Sequence, residues 1–377
     1  MKILFHLGHP AHFHLFKNFI HFLQTQNHTI FILIKKKDVL ENLLKSAKMA
    51  YYNILPTGKG KGFFNLFFTT FTQNLKLFLF CVRFQPYVMF GTSLSIAHIG
   101  WLLRIQNFNF NEDDFDVVPY YSKLSYPFSK FIVAPDVCSV GKWKYKTIFY
   151  KSYHELAYLH PDNFQPDIKI LTKYDLSEKQ FFLIRFSGLD AHHDKGIRGI
   201  NRELALLIIN HLKNIGDVLI STEKKLNDCF LPFCREIDPI DIHHVMAFAK
   251  IFIGDSQTMA AESGVLGVPF IRINDFVGRI GYLKELEDVY HLGYGIKPKN
   301  NNEVLEKIDF ILSLNDSKEY FFNKRNKMLF DKIDFTKFIL FIFNYCVVTN
   351  NKMDVNTIFE KFLSNSIISV SNTDHAN

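Results

Sequence analysis

Short apolar runs alternate along the chain with longer segments whose apolar residues recur every three or four positions. The first pattern is typical of strands buried on both faces, and the second of helices that pack one face on a core. In the first half, strands are predicted at residues 3–7, 29–34, 52–55, 87–90 and 130–133. Helices are predicted between them at residues 13–24, 38–47 and 95–104.

The second half repeats this alternation. Its strands are predicted at residues 181–186, 217–221, 251–253 and 269–273, and its helices at residues 202–212, 240–249 and 258–266. The alternation predicts an α/β fold in which helices cover both faces of parallel sheets. The polar stretch 161–179, which contains Pro161 and Pro166, predicts a linker. We therefore expect an N-terminal domain at residues 1–165, a C-terminal domain at 166–345 and a frayed polar tail at 346–377.

Phe is abundant, with 41 residues spread through the chain, which we interpret as a base-composition bias rather than an aromatic binding surface. One long segment, residues 63–84, is rich in Phe and Leu but is interrupted by Asn, Thr, Gln and Lys. Two interpretations of it stay open: a helix buried in the first domain, or an amphipathic helix that rests on a membrane surface.

The chain has 377 residues, enough for two ordinary α/β domains, and a net charge of +7. The positive charge favours anionic partners such as nucleotide diphosphates or acidic lipids. No zinc-finger, RNA-binding or dense basic-helix pattern occurs, so no nucleic-acid partner is expected. The five cysteines are scattered, which is typical of reduced thiols. Without a signal-peptide pattern, we expect a cytoplasmic protein. Peripheral contact with the inner face of the membrane stays open beside that expectation.

The loop after the first predicted strand, residues 8–12, is the first candidate site. Ligands of parallel sheets bind beyond the carboxyl ends of the strands, where this loop lies. Gly8 permits a tight turn, and Pro10 suits the start of a helix whose N–H groups attract anions. His9 and His12 are therefore candidate catalytic residues, as hydrogen-bonding groups or as acid and base. The alternative is that one or both imidazoles cap or pack the loop.

A second candidate site follows the strand predicted just before Gly254. The loop and helix start there offer backbone N–H groups and hydroxyls to a diphosphate. Glu262 lies one turn further, on the same helix face as Thr258, where a carboxylate can accept both hydroxyls of a ribose. N-capping is the alternative for the hydroxyl residues, and a solvated helix face the alternative for Glu262. The residues expected to hold the diphosphate are Gly254, Ser256, Thr258 and Met259.

Other side chains are predicted at the same edge of the second sheet. Arg185 ends one strand and is expected to reach a phosphate, while Ser221 and Glu223 follow the next strand. His243 precedes an apolar helix and is expected to meet the nucleotide base. For each of these residues, surface charge or capping is the alternative.

No metal-binding pattern accompanies these sites. The histidines between residues 6 and 14 have no carboxylate clustered with them, and the cysteines are too scattered for a zinc site. Asp113 and Asp114 lie in an irregular acidic run, residues 107–116, that we interpret as a solvated loop. We therefore expect no metal and no cofactor.

Residues 2–18, 150–159 and 254–269 resemble the family catalogued as domain of unknown function 354, and the resemblance extends over residues 1–345. That family is similar to the glycosyltransferase-B superfamily, which includes lipid-linked sugar transferases of wall synthesis and non-hydrolysing UDP-N-acetylglucosamine 2-epimerases. The resemblance implies two Rossmann-like domains that face across a crevice, with the nucleotide held mainly by the second. The run at residues 107–116 departs from the family's pattern, where a Pro-containing strand is expected.

Three functions follow from this resemblance. The leading prediction is glycosyl transfer from a UDP-sugar to a sugar or lipid-linked acceptor in surface-polysaccharide or glycoconjugate synthesis, with His9 as the base. One alternative is a UDP-sugar 2-epimerase, which needs carboxylates or imidazoles on both faces of the sugar ring. The other is a non-catalytic protein that binds a nucleotide-sugar, because a fold does not determine an activity. The oligomeric state does not follow from the sequence.

Overall fold

The computed structural model describes residues 1–35, 38–55, 63–178, 180–186, 199–222, 228–349 and 354–373. The chain divides into two compact units, which we call the first and the second unit. The first unit comprises Met1–Tyr158 and Ile333–Asn377, and the second comprises Leu159–Lys332. Each unit is built on a parallel sheet, as the alternation of strands and helices predicts.

The first unit contains the longer sheet. Its strands are β1 Lys2–Leu7, β2 Thr29–Lys35, β3 Tyr52–Leu55, β4 Val88–Gly91, β5 Gln106–Phe110, β6 Phe131–Pro135 and β7 Thr147–Tyr150. Over the described residues, these strands form one parallel sheet in the order β3-β2-β1-β4-β5-β6-β7. Its helices up to this point in the chain are α1 Pro10–Thr25, α2 Asp38–Ser46, α3 Phe63–Phe84, α4 Leu94–Leu103 and α5 Pro119–Ser125.

The second unit has a shorter sheet with a different strand order. Its strands are β8 Phe181–Arg185, β9 Asp217–Ser221, β10 Ile251–Gly254, β11 Phe270–Ile273 and β12 Gly293–Ile296. In the described part of this unit they are all parallel, in the order β12-β11-β10-β8-β9. Its helices are α6 Arg202–Leu212, α7 Ile242–Ala247, α8 Gln257–Leu266, α9 Gly281–Lys284, α10 Asn301–Ser313 and α11 Ser317–Asp331.

The C-terminal helices, α12 Phe335–Ile342 and α13 Ile358–Thr373, belong to the first unit. This differs from the predicted division, which assigned residues up to 345 to the second domain and the rest to a frayed tail. The ring of Phe335 stacks on Tyr150 of β7, with 4.0 Å between ring centroids. The apolar face of α12 therefore packs on a strand that is distant in sequence.

Many of the phenylalanines have a structural role in the first sheet. Phe5, Phe90, Phe108 and Phe131 are neighbours on β1, β4, β5 and β6. Their rings stack in sequence, with centroid distances of 5.5, 5.1 and 5.0 Å. Cross-strand aromatic pairs of this kind stabilise a sheet, and Phe16 of α1 covers one end of the row through Phe5.

The interpretation of residues 107–116 as an irregular, solvated run is wrong for residues 107–110, whereas residues 111–116 form neither a strand nor a helix. Residues 106–110 form β5, and Asn109 is fully buried. Its amide donates to Ser129 Oγ over 3.1 Å and accepts from the Tyr121 hydroxyl over 2.7 Å. These hydrogen bonds allow polar residues to alternate with Phe inside a buried strand. Strands β7 and β12, and the 3₁₀ helix Ile168–Tyr174 inside the predicted linker, were not predicted either.

Helix α3 spans the segment for which two interpretations stay open. One face packs into the core of the first unit through Leu77 and Cys81. The opposite face carries large apolar side chains that are exposed. Among the helices that the structure describes, none combines the length and hydropathy needed to cross a bilayer.

Candidate functional site

The strand order of the first unit reverses between β1 and β4, and the loops after these strands form what we call the first edge. Helices α1 and α4 begin here, capped by His9 and Ser93. A Cβ atom at Gly91 would lie 2.6 Å from the carbonyl oxygen of His6, so the close approach of β4 to β1 requires glycine. Two helix N-termini at one edge favour an anionic or strongly polar ligand.

His9 is exposed and caps α1. Its Nδ1 accepts the N–H of Ala11 over 3.2 Å, which satisfies one of the donors that a helix start leaves open. Because Nδ1 accepts, the neutral imidazole carries its proton on Nε2. The capping interpretation of His9 is therefore confirmed, and its catalytic role stays a prediction.

His12 joins the two loops of the first edge. Its Nδ1 accepts the N–H of Gly8 over 3.1 Å, and the hydroxyl oxygen of Thr92 lies 2.6 Å from its Nε2. The neutral ring then donates from Nε2 to Thr92. His12 therefore packs this loop and connects it to the loop after β4, and its catalytic role stays a prediction.

His6 supports the same edge from within the sheet. Its Nδ1 lies 2.6 Å from Ser93 Oγ, and its Nε2 lies 3.1 Å from the side-chain nitrogen of Gln73. Burial, with a smaller contribution from the positive charge of Lys35, lowers the pKa of His6 to about 4. The imidazole is therefore neutral near pH 7, and it connects α3 to the start of α4.

Glu112 and Asp113, which are half-buried, follow β5 at this end of the sheet, and the buried His154 follows β7. Nδ1 of His154 lies 3.2 Å from a carboxylate oxygen of Glu112. Burial lowers the pKa of His154 to about 3, against the opposing effect of Asp113. Burial also raises the pKa of Asp113. Sequence reasoning missed this group because β5, which positions it, contains two Asn residues and therefore lacks the apolar run of a typical buried strand.

The strand order of the second unit reverses between β8 and β10, and the loops there form the second edge. The predicted strand, loop and helix are present: β10 ends at Gly254, and Ser256 caps α8 by accepting the Met259 N–H over 3.3 Å. A Cβ atom at Gly254 would lie 2.8 Å from the carbonyl oxygen of Arg185, so glycine is required. Thr258 and Met259 are half-buried in the first turn of α8.

Arg185 and Ser221 end the neighbouring strands β8 and β9. A guanidinium nitrogen of Arg185 donates to Ser221 Oγ over 3.4 Å, and Arg185 is paired with Gly254 across the sheet. The structure therefore brings these three predicted residues together at the second edge. Glu223, which was predicted beside them, lies outside the described residues.

Glu262 and His243 form a buried pair. Nε2 of His243 donates to a carboxylate oxygen of Glu262 over 2.9 Å, and the two side chains are 4% and 6% exposed. The solvated-face interpretation of Glu262 is therefore wrong. The adjacent His244 accepts the N–H of Asp167 over 3.0 Å and packs against Phe164, so the predicted linker supports α7.

A second buried network, which sequence reasoning missed, holds the loop between β10 and α8. Arg272 of β11 is fully buried and donates to Glu287 over 2.8 Å and to the side chain of Asn274 over 3.0 Å. Asn274 in turn donates to the carbonyl oxygen of Asp255 over 3.1 Å. Burial raises the pKa of Glu287, and Arg272 opposes that shift. An arginine inside an apolar strand was the available signal, since a buried charge needs a partner.

Solved structures share this fold. The S. aureus MnaA–UDP complex matches with a TM-score of 0.68 at 11% identity, covering 94% of this chain and 99% of that chain. UDP-GlcNAc 2-epimerase from Methanocaldococcus jannaschii matches with a TM-score of 0.64 at 15% identity, covering 92% and 100%. The spinosyn forosaminyltransferase SpnP matches with a TM-score of 0.59 at 12% identity, covering 89% and 96%.

At these identities the comparison shows the fold alone. No family model matches the sequence, and no curated protein sequence matches it. The resemblance to the domain of unknown function 354 therefore stays an expectation. The predicted fold class is confirmed: the chain has the α/β fold, with Rossmann-like units of the glycosyltransferase-B type, that these epimerases and transferases share.

Proposed function

We propose that this protein is an enzyme that transfers a sugar from a UDP-sugar to an acceptor, in surface-polysaccharide or glycoconjugate synthesis. The observation that carries the proposal is the second edge, where Arg185, Ser221 and the capped start of α8 converge one helical turn from the Glu262 carboxylate. Two structures of the same fold support it: one is bound to UDP, and another to UDP-GlcNAc. A third is a forosaminyltransferase.

In this proposal the second edge holds the nucleotide. The N–H groups at the start of α8 and the Arg185 guanidinium bind the diphosphate, whose charge grows as the sugar leaves. Glu262 accepts the ribose hydroxyls, and His243 orients its carboxylate. The Arg272–Asn274 network keeps the loop before α8 in place, so these donors need not reorganise during the reaction.

The first edge supplies the base. The acceptor hydroxyl forms a bond to the anomeric carbon, the bond from that carbon to the β-phosphate oxygen breaks, and UDP leaves. The acceptor's proton passes to His9. Because Nδ1 of His9 accepts the Ala11 N–H, the incoming hydroxyl has to replace that N–H at Nδ1.

We also propose that the reaction needs no divalent metal, because helix N–H groups and Arg185 neutralise the leaving diphosphate. Turnover is expected to be the same in excess EDTA and with added Mg²⁺ or Mn²⁺. Activity that EDTA abolishes and either ion restores would overturn this part of the proposal.

UDP-sugar 2-epimerisation is the second candidate, and one observation favours it. Glu112, Asp113 and His154 gather beyond the carboxyl ends of β5 and β7, and they are the type of acid–base groups that the reaction needs on the sugar ring. Several structures with this fold are UDP-GlcNAc 2-epimerases.

A panel of UDP-sugars, each with and without candidate acceptors, separates the possibilities. Free UDP together with a glycosylated acceptor supports the transferase, whereas an isomeric UDP-sugar formed without acceptor supports the epimerase. Nucleotide-sugar binding without turnover of any panel member contradicts both activities and leaves a binding protein.

A further inference from the structure

The outer face of α3 carries a stripe of exposed apolar side chains. Phe71, Leu75, Leu79 and Val82 recur at intervals of three and four residues, so they lie on one side of the helix. Each is between 48% and 58% exposed. The opposite side of α3, with Leu77, packs in the core. Helix packing within the first unit therefore explains one apolar face of α3 and leaves the other in contact with solvent.

The neighbouring helices α4 and α5 also carry exposed apolar side chains. Asn74 of α3 is hydrogen-bonded to His98 of α4 over 3.1 Å, and His98 contacts the carbonyl oxygen of Leu124 in α5 over 2.8 Å. Trp101 and Leu102 of α4, and Leu124 itself, are at least half exposed. We define the α3–α5 surface as Phe71, Leu75, Leu79, Val82, Trp101, Leu102 and Leu124.

The charge on these helices has one sign. Between Glu41 and Glu112, and again between Asp116 and Asp136, the sequence contains no Asp or Glu. Helices α3, α4 and α5 therefore carry no carboxylate. Their exposed cations, including those just beyond the helix ends, are Lys76, Arg83, Arg104, Lys123 and Lys130.

We propose that the α3–α5 surface docks the protein on an anionic lipid bilayer. Apolar and aromatic side chains enter the boundary between headgroups and acyl chains, while Lys and Arg attract anionic headgroups. The same surface of a second copy fits poorly, because a two-fold contact would place cations against cations without carboxylates to pair with them. The inference is independent of the proposed sugar transfer, because it rests on a different part of the first unit.

The test is co-sedimentation of the full chain with extruded vesicles of phosphatidylcholine alone and of phosphatidylcholine with 30 mol% phosphatidylglycerol. We expect binding to the anionic vesicles that weakens as NaCl is raised. The variant Phe71→Gln/Leu75→Gln/Leu79→Gln should bind these vesicles at least about 30-fold less, because it loses the inserted apolar side chains. Lys76→Gln/Arg83→Gln should also bind about 30-fold less, at about 1 kcal/mol per cation.

The matched control is Phe322→Gln/Phe330→Gln, which removes exposed apolar side chains from α11 of the second unit. It should bind vesicles like the wild type. Circular dichroism and thermal melts of all variants should be unchanged, since the altered side chains are exposed. Equal binding of Phe71→Gln/Leu75→Gln/Leu79→Gln and the wild type to the anionic vesicles would overturn the proposal. The proposal would also be overturned if the wild type bound neither kind of vesicle and light scattering showed a wild-type dimer that is absent in this triple variant.

Discussion

The first and second edges share a backbone plan and differ in the chemistry that supports it. In both, the strand order reverses, a glycine lets neighbouring strands approach, and a side chain caps the next helix. Behind the first edge, the side chain that connects α3 to the start of α4 is a buried, neutral imidazole, His6. Behind the second edge lie charged groups, Arg272 with Glu287.

This difference predicts different weaknesses. Leaving one member of a buried ion pair without its partner costs more than losing a neutral hydrogen bond. A neutral imidazole that is buried must take up a proton on unfolding below its ordinary pKa. We therefore expect the free energy of unfolding to be more sensitive to substitutions behind the second edge, and more sensitive to acid through the group behind the first edge.

The largest expected effect is on turnover at the first edge. His9→Ala should lower turnover by about 10²–10⁴-fold and leave the affinity for UDP nearly unchanged, if His9 removes the acceptor's proton. The control is His9→Asn, because Asn keeps an acceptor for the helix N-terminus but cannot act as a base. Normal turnover in the Asn variant would show that His9 serves only as a cap.

The next effect tests the charged support of the second edge. Arg272→Met should lower the free energy of unfolding by about 3–5 kcal/mol, because Glu287 is left buried without its cation. Urea unfolding of the variant, beside Arg202→Met on the exposed start of α6, measures the difference. The double variant Arg272→Met/Glu287→Leu should recover part of the loss. A single variant as stable as the wild type would contradict the role of this network.

A smaller effect is expected for the nucleotide. Glu262→Ala should weaken UDP binding by about 1.5–3 kcal/mol, the value of a hydrogen bond to a charged acceptor. Titration calorimetry measures the affinity, with the exposed Glu306→Ala as the matched control. UDP affinity equal to that of the control would remove Glu262 from the ribose site and leave it as a partner of His243.

The smallest effect separates the two edges by pH. The pKa of folded His6 is about 4 and lies below its ordinary value of 6.5, so its stabilising effect is complete above pH 6.5 and is lost as the pH falls towards 4. Between pH 8 and pH 5 this loss amounts to about 2 kcal/mol. From pH 8 to pH 5, the unfolding free energy of His6→Gln should therefore fall by about 2 kcal/mol less than that of the wild type. The unfolding free energy of the exposed-site variant His21→Gln should fall as much as that of the wild type. An equal fall in all three proteins would refute the prediction.

Local pattern was sufficient for most of the strands and helices, and insufficient where polar residues are buried. The apolar run at β1 and the spacing of Phe13, Phe16 and Phe19 in α1 predicted both elements, because their burial follows the hydrophobic period. β5 was missed because Asn107 and Asn109 are buried through hydrogen bonds to residues distant in sequence. The packing of α12 in the first unit was missed for a different reason: its partner Tyr150 is nearly two hundred residues earlier in the sequence, and no local pattern reports such a contact.

The sequence by itself determined the α/β class, the two Gly-containing loops at strand ends and the residue types available there, because these depend on period, turn chemistry and strand direction. Only the tertiary structure decided that His6 is neutral, that Glu262 pairs with His243, and that the outer face of α3 is exposed. These properties depend on burial and on contacts between distant segments. A one-dimensional pattern indicates which residues prefer burial, but the environment of each side chain is determined by the elements that pack around it.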